Sequence, residues 1–234
     1  MTEKEFVKAL NKLGIDIDED KLGKLDKYYH ILIEKNKIMN LTNIIRKEEV
    51  YLKHYYDSLT ISLVINFNKQ KSLCDIGTGA GFPGIVLKIL FPHLKVVLID
   101  SLAKRITFLN EVIEELDLKD IEVIHVRAED YARKNNKKFD VVVSRAVAKL
   151  NILNELCLPL VKIGGCFISM KGYADEELKN IDKNLAELNS EILEIKRFLL
   201  PLEESQRTLI KIKKINSINK KYPREFKEIK KKPL

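Results

Sequence analysis

Four of the nine glycines in this 234-residue chain fall within eight positions, in Asp75-Ile76-Gly77-Thr78-Gly79-Ala80-Gly81-Phe82-Pro83-Gly84. Glycines at this density let a backbone turn sharply and approach a ligand with no Cβ in the way. Pro83 suits the first turn of a following helix, where no amide donor is needed. A helix N-terminus offers free N–H groups to a carboxylate or phosphate. Gly79, Gly81 and Gly84 satisfy G-x-G-x-x-G, and Asp100 follows about twenty residues on, where a carboxylate can accept both hydroxyls of a ribose. The spacing fits a nicotinamide dinucleotide and an adenosyl cofactor alike. A glycine-rich turn with no ligand is the third reading.

The other chemically interesting residues each carry a plainer alternative. Asp100 could instead cap a helix starting near Leu102, although Ser101 could do that too. Glu129, in Val126-Arg127-Ala128-Glu129-Asp130, could flank a purine, with Ala128 small enough to leave room. By spacing alone, Glu129 reads as a solvated loop acid. Arg145 has a planar fork that could hold a cofactor carboxylate, an RNA or the face of a base. Its alternative is a surface Arg paired with an acid such as Asp140. His54 and Asp57 are three apart on one helix face and could simply pair with each other. His125 lies inside an apolar run and reads as a packed or partly exposed strand residue. No metal site is expected.

An alternation of short and long apolar runs supplies the scaffold for these residues. Ser72–Ile76, Lys95–Asp100, Ile121–Val126, Phe139–Ser144 and Cys166–Met170 read as strands. Gly84–Phe91, Leu102–Leu116 and Leu150–Val161 between them read as helices. That rhythm predicts βαβ units and a parallel sheet with right-handed crossovers. After a polar helix over Asp175–Asn189, Ile192–Leu200 and Arg207–Lys214 flank a short polar turn, which predicts an antiparallel edge hairpin. Residues 1–70 precede the sheet as a small helical cap, with helices carrying Phe6, Leu10 and Leu13, then Leu22 to Leu32, then Lys47 to Ile65. The domain reading is a cap over 1–70, an α/β domain over 71–215 and a tail over 216–234, within one globular unit.

The formal charge is +8, yet Arg207–Leu234 alone holds eleven Lys+Arg against two Asp+Glu. The rest of the chain is therefore close to neutral, and a clustered basic segment suits a polyanion as much as it suits a solvated tail. Residues from Asn216 onward are polar, basic and interrupted by Pro223 and Pro233, which predicts little structure. On that reading the tail could be removed after Asn219 with cofactor affinity nearly unchanged. No run of about 18 apolar residues predicts a membrane span, and no signal-type apolar core follows the polar N-terminus. Three cysteines without a CxxC pair read as core residues of a cytoplasmic protein. A monomer is the default. One βαβ-rich region, an edge hairpin and no suitably placed His favour a methyl donor over nicotinamide.

Taken together, the residues resemble the bacterial glucose-inhibited division protein B family. The likeness rests on Asp75–Gly84, Leu98-Ile99-Asp100-Ser101 with Lys104-Arg105, Arg127-Ala128-Glu129, Ser144-Arg145-Ala146, and the ending Tyr222-Pro223-Arg224 with Lys231-Lys232-Pro233-Leu234. Asn40-Leu41-Thr42 and His54-Tyr55-Tyr56-Asp57-Ser58-Leu59 also match. The resemblance implies a class I, Rossmann-like methyltransferase with a seven-stranded, mostly parallel sheet. It implies transfer of a methyl group from S-adenosylmethionine to guanine N7 in small-subunit ribosomal RNA, in the 530 loop, as naked RNA or an assembling 30S particle. It implies cofactor contacts at Gly77, Gly79, Phe82, Asp100, Ala128, Glu129 and Arg145. His54, Arg145, Lys221, Arg224 and Lys231 become the candidates for RNA contact, with no catalytic acid or base. One departure stands out: Glu225-Phe226-Lys227-Glu228 occupies a stretch that is small, Gly-containing and less acidic in the family.

Elimination points the same way. Methylation of a base carbon usually needs a Cys nucleophile, and Cys74, Cys157 and Cys166 all lie in apolar runs. Enzymes acting on exocyclic amines carry an Asp/Asn-Pro-Pro-aromatic run where this chain has Ser144-Arg145-Ala146-Val147. Guanine N7 carries no proton, so its methylation is mostly positioning. An NAD-dependent oxidoreductase and a non-catalytic RNA-binding module are the alternatives.

Overall fold

The computed structural model describes every residue except Ala146 and Asn180. Ala146 of the Ser144-Arg145-Ala146 match therefore lies outside the described residues. Thr2 opens α1 (Glu3–Lys12) with a reciprocal capping box to Glu5. Asp18 caps α2 (Glu19–Met39), which ends at Asn40 in the left-handed conformation. A broken helical run follows: α3 (Lys47–Val50), a π turn (Tyr51–Tyr56), α4 (Asp57–Leu59) and a 3-10 turn (Thr60–Leu63). The sequence predicts one plain helix here. A π turn widens the helix by one residue per turn and often marks a functional site; this one carries Lys53 and His54.

The alternating region then runs β1 (Ser72–Ile76), α5 (Gly84–Leu90), β2 (Lys95–Asp100), α6 (Ala103–Glu115), β3 (Ile121–His125), α7 (Ala128–Lys134), β4 (Phe139–Arg145), α8 (Leu150–Cys157) and β5 (Val161–Lys171). It continues with α9 (Asp175–Leu178), α10 (Ile181–Glu187), β6 (Ser190–Leu199), β7 (Gln206–Lys214) and α11 (Phe226–Lys231). The sheet order is β3-β2-β1-β4-β5-β7-β6. The first five strands are parallel, and β7 runs antiparallel between β5 and β6. Strands β1, β2 and β4 are apolar and buried, as strands covered on both faces must be.

Two apolar layers cover the sheet. One joins α1, α2, the broken helical run, α5 and α6. The other joins α7, α8, α10 and the C-terminal segment. An aromatic cluster fastens the cap to the glycine loop: Tyr28 packs against Phe82 and Tyr55, and its hydroxyl donates to the Ala80 carbonyl.

The structure departs from the sequence reading in three further places. Pro159, in a 3-10 turn, ends α8 early, and β5 starts at Val161 rather than Cys166, with a register shift against β4. The polar helix over Asp175–Asn189 is two helices, because Lys179 is extended. The tail is folded. Ile229 is fully buried and Tyr222 nearly so, with Phe226 and Leu234 packed beside them. Four apolar side chains among the lysines give the segment an inward face that average composition conceals.

Candidate active site

Strand order reverses where β4 lies on the other side of β1 from β2, which is where open α/β sheets leave a crevice at their strand ends. A cavity of about 480 Å³ opens there, a size suited to a cofactor. Gly77, Gly79, Phe82, Asp100, Ala128, Glu129 and Arg145 all line it, and so does His54.

The loop after β1 is held from both sides. The N–H groups of Gly77 and Thr78 donate to the Ile99 carbonyl at 2.9 and 3.1 Å, and Gly79 N–H donates to Asp100 Oδ2 at 3.0 Å. Gly79 has φ +63, and a Cβ there would meet nothing nearer than the Gly77 oxygen at 4.0 Å. It would project into open space, so the cradle is one that a side chain would fill. Gly84 is needed for another reason: a Cβ would lie 2.2 Å from Leu98 Cδ2 on β2, so only glycine allows α5 to pack that close. Asp75, buried beneath the loop, accepts from Thr78 Oγ1 at 2.7 Å and Gly84 N–H at 2.9 Å. Burial outweighs these bonds and pushes its carboxyl up to about 6.

Both carboxylate oxygens of Asp100 are engaged within the protein. Oδ1 accepts from Leu102 N–H at 3.0 Å and steadies the start of α6, while Oδ2 accepts from Gly79 N–H and from Arg105 Nη1 at 3.0 Å. Ser101 supplies no side-chain cap. Glu129 is not a solvated loop acid. It is 4% exposed in the first turn of α7 and accepts from Arg127 Nε at 2.6 Å. His125 is exposed at the strand end, with Nε2 3.1 Å from the Ser101 carbonyl.

Arg145 does not pair with Asp140, whose carboxylate instead takes Lys162 and the β1 start. Nor do His54 and Asp57 pair with each other. Arg145 joins them: Nη1 donates to the Lys53 carbonyl at 3.0 Å and to Asp57 Oδ2 at 3.2 Å, and Nη2 lies 3.2 Å from His54 Nδ1. The guanidinium sits 5.3 Å from the Phe82 ring centroid, and the His54 ring stacks on Phe82 at 4.3 Å. Arg207 Nε donates to the other Asp57 oxygen at 2.9 Å. Burial first, and the Arg145 charge second, hold the His54 imidazole far below its ordinary range, at about 3. The ring is therefore neutral. Because an arginine has only donors, Nδ1 accepts and the proton sits on Nε2, facing Thr42 Oγ1 at 2.9 Å.

The basic candidates of the tail do not line the cavity. Arg224 turns inward to Glu155. Lys221 is exposed and pairs with Glu187 at 2.9 Å, and Lys231 is exposed. Of the eleven cations after residue 206, Arg207, Lys211, Lys214 and Arg224 are tied to internal acceptors, so the outward charge comes from half-buried Lys213 and, mainly, from the six lysines beyond Asn219. The cavity also holds residues that sequence reasoning did not single out: Thr42, Arg105, Arg127, Leu156 and Phe226. The first three lie inside matched motifs, which was the available signal. Leu156 and Phe226 had none.

Comparison with known proteins agrees with this geometry. A family model described as rRNA small subunit methyltransferase G matches residues 21–218. Ribosomal RNA small subunit methyltransferase G of Bacillus pumilus (strain SAFR-032) is 49% identical over 228 residues, 96% of this chain and 95% of that protein. The protein of the same name from Bacillus cereus (strain B4264) is 48% identical over the same spans. Among solved structures, Aeropyrum pernix fibrillarin with natively bound S-adenosyl-L-methionine superposes with a TM-score of 0.53 at 14% identity, covering 67% of this chain and 72% of that one. The ribosomal protein L11 methylase of Lactobacillus delbrueckii subsp. bulgaricus gives 0.52 at 19% identity, covering 70% and 79%. These two speak for the fold, a Rossmann-like methyltransferase sheet. The sequence matches speak for the family: the chain belongs to the rRNA small subunit methyltransferase G family.

Proposed function

We propose that this protein transfers a methyl group from S-adenosylmethionine to N7 of a guanine in small-subunit ribosomal RNA, in the 530 loop. The observation that carries this reading is the state of the ionisable groups around the cavity. Among the described lining residues these are His54, Asp100, Arg105, Arg127, Glu129 and Arg145. Asp100 and Glu129 are each bonded to an arginine, and His54 is held neutral with Nδ1 accepting from Arg145. None is poised as a base. Guanine N7 presents a lone pair and no proton, so it asks for none.

Bound there, S-adenosylmethionine would supply a methyl group on a sulfonium centre. Gly77 and Gly79 would admit it to the backbone, Asp100 would take ribose hydroxyls, and Ala128 with Glu129 would border the adenine. Arg145, Phe82 and His54 form a rigid platform at the cap side, suited to hold the methyl-accepting base in line. Carbon methylation is disfavoured, because the three cysteines are buried away from the cavity and burial pushes their thiols up. Ser144 is also committed, its hydroxyl donating to the Ile76 carbonyl at 2.9 Å.

Thermal unfolding with separate additions of S-adenosylmethionine, S-adenosylhomocysteine and NAD tests the cofactor. A ligand at 100 times its Kd adds about 2.7 kcal/mol. The adenosyl compounds should stabilise the protein and NAD should not. Stabilisation by NAD alone would overturn the proposal.

A further inference from the structure

We propose that Phe226 is a cofactor-positioning residue: the C-terminal segment forms the wall of the cavity at its adenine end, with Phe226 as the contact. This rests on the adenosyl reading above. Phe226 lines the cavity although it lies about a hundred residues beyond the α7 residues that line it. It is set there by three separate attachments. Arg127, whose Nε binds Glu129, lays its guanidinium over the Phe226 ring at 4.7 Å. Arg224, two residues earlier, grips the fully buried Glu155 of α8 with Nε–Oε1 at 2.8 Å and Nη2–Oε2 at 2.6 Å. Ile229, three residues later, is fully buried in the layer that contains Leu153 and Leu156.

The position in the sheet gives the end of the cofactor. The strand ends that line the cavity run β3, β2, β1, β4, so the β3–α7 residues Val126–Glu129 and the β4 residue Arg145 stand at opposite ends of that row. Phe226 joins the β3–α7 end through Arg127. An aromatic ring beside Ala128 and Glu129 offers a purine a face to pack on, and such a contact is tolerant of exact geometry because it needs only the π surface. Arg127 stacked on the ring and bound to Glu129 ties the new wall to the acid already there.

The test is calorimetric binding, without RNA, of S-adenosylhomocysteine and of 5′-methylthioadenosine, which keeps adenine and ribose but lacks the amino-acid end. Phe226→Ala should weaken both by about tenfold, and by the same factor, as loss of one stacked aromatic implies. Phe226→Tyr, which keeps the ring, should stay within about threefold of the parent. Unchanged affinity in Phe226→Ala, with or without a lower Tm of the ligand-free protein, would overturn the proposal. So would a loss for S-adenosylhomocysteine that 5′-methylthioadenosine does not share, since Phe226 would then act at the other end. A parent protein that binds neither ligand would overturn the cofactor reading and this inference with it. A parent that binds both beside an unaffected Phe226→Ala would overturn the inference alone.

Discussion

Glu155 is wholly buried in α8, and both of its oxygens are taken by Arg224, 69 residues further along the chain. Arg224 N–H also donates to Oε1 at 2.9 Å, so the backbone and side chain of one residue together satisfy the carboxylate. Removing one partner of such a pair leaves an uncompensated buried charge, which costs about 3–5 kcal/mol. Arg224→Ala should therefore lower the free energy of unfolding by that amount in urea titration. A loss below about 1 kcal/mol would mean that the pair behaves like a solvated surface bridge. Loss of an outer lysine should carry no comparable stability cost.

Gly79→Val tests the loop. At φ +63 a β-branched residue is strained, and its side chain would extend into the cavity. Adenosyl-ligand binding should be abolished while the circular dichroism spectrum is preserved. Parental affinity would show that the cofactor does not approach this backbone.

The His54 stack gives a pH signature. Its imidazole titrates near 6.5 when unfolded and at about 3 when folded. Below pH 6.5 the unfolded chain takes up a proton that the folded chain refuses, so this stability is present above 6.5 and lost as pH falls toward 3. Asp75 runs the opposite way. Raised from 3.8 to about 6, it contributes fully below 3.8 and loses that contribution as pH rises through 6. The two partly cancel in the parent. His54→Asn removes the first, and between roughly pH 7.5 and pH 5 its unfolding free energy should fall less than the parent's, by about 2 kcal/mol. Parallel pH profiles for the two proteins would show that His54 is not buried neutral.

Outward charge on the tail should govern RNA affinity without touching the cofactor. Lys220, Lys230, Lys231 and Lys232 are exposed. Replacing all four by Gln should reduce the log–log salt slope of RNA binding by about 3 if each meets a phosphate, at ~0.7–0.9 per contact. S-adenosylhomocysteine affinity should stay at the parental value. An unaltered slope would move the RNA surface to the cap, around Lys53. Truncation after Asn219 differs because it also removes Arg224 and Phe226, so cofactor affinity should fall with RNA binding.

Legibility in the sequence followed the range of the interaction. Strands β1 and β2 match their apolar runs at both ends, because a buried parallel strand is written as a local block of Val, Ile and Leu. The glycine loop and Asp100 were readable for the same reason: the turn, the cradle and the carboxylate that takes Gly79 N–H sit within one βαβ unit. Arg145 and Asp57 were not, since 88 positions separate them and a π turn decides which side chains of the cap face β4. Glu129 looked solvated because its burial depends on Arg127 and on a C-terminal segment that composition marks as tail.

The most direct test is a methylation reaction with S-adenosylmethionine and small-subunit ribosomal RNA, offered both as naked RNA and as 30S particles lacking the modification. Reduction and aniline cleavage at 7-methylguanosine then maps the product. The account predicts cleavage at a single guanine in the 530 loop, absent with Gly79→Val. Methyl incorporation that yields no such cleavage, or that maps to a base carbon or an exocyclic amine, would contradict it.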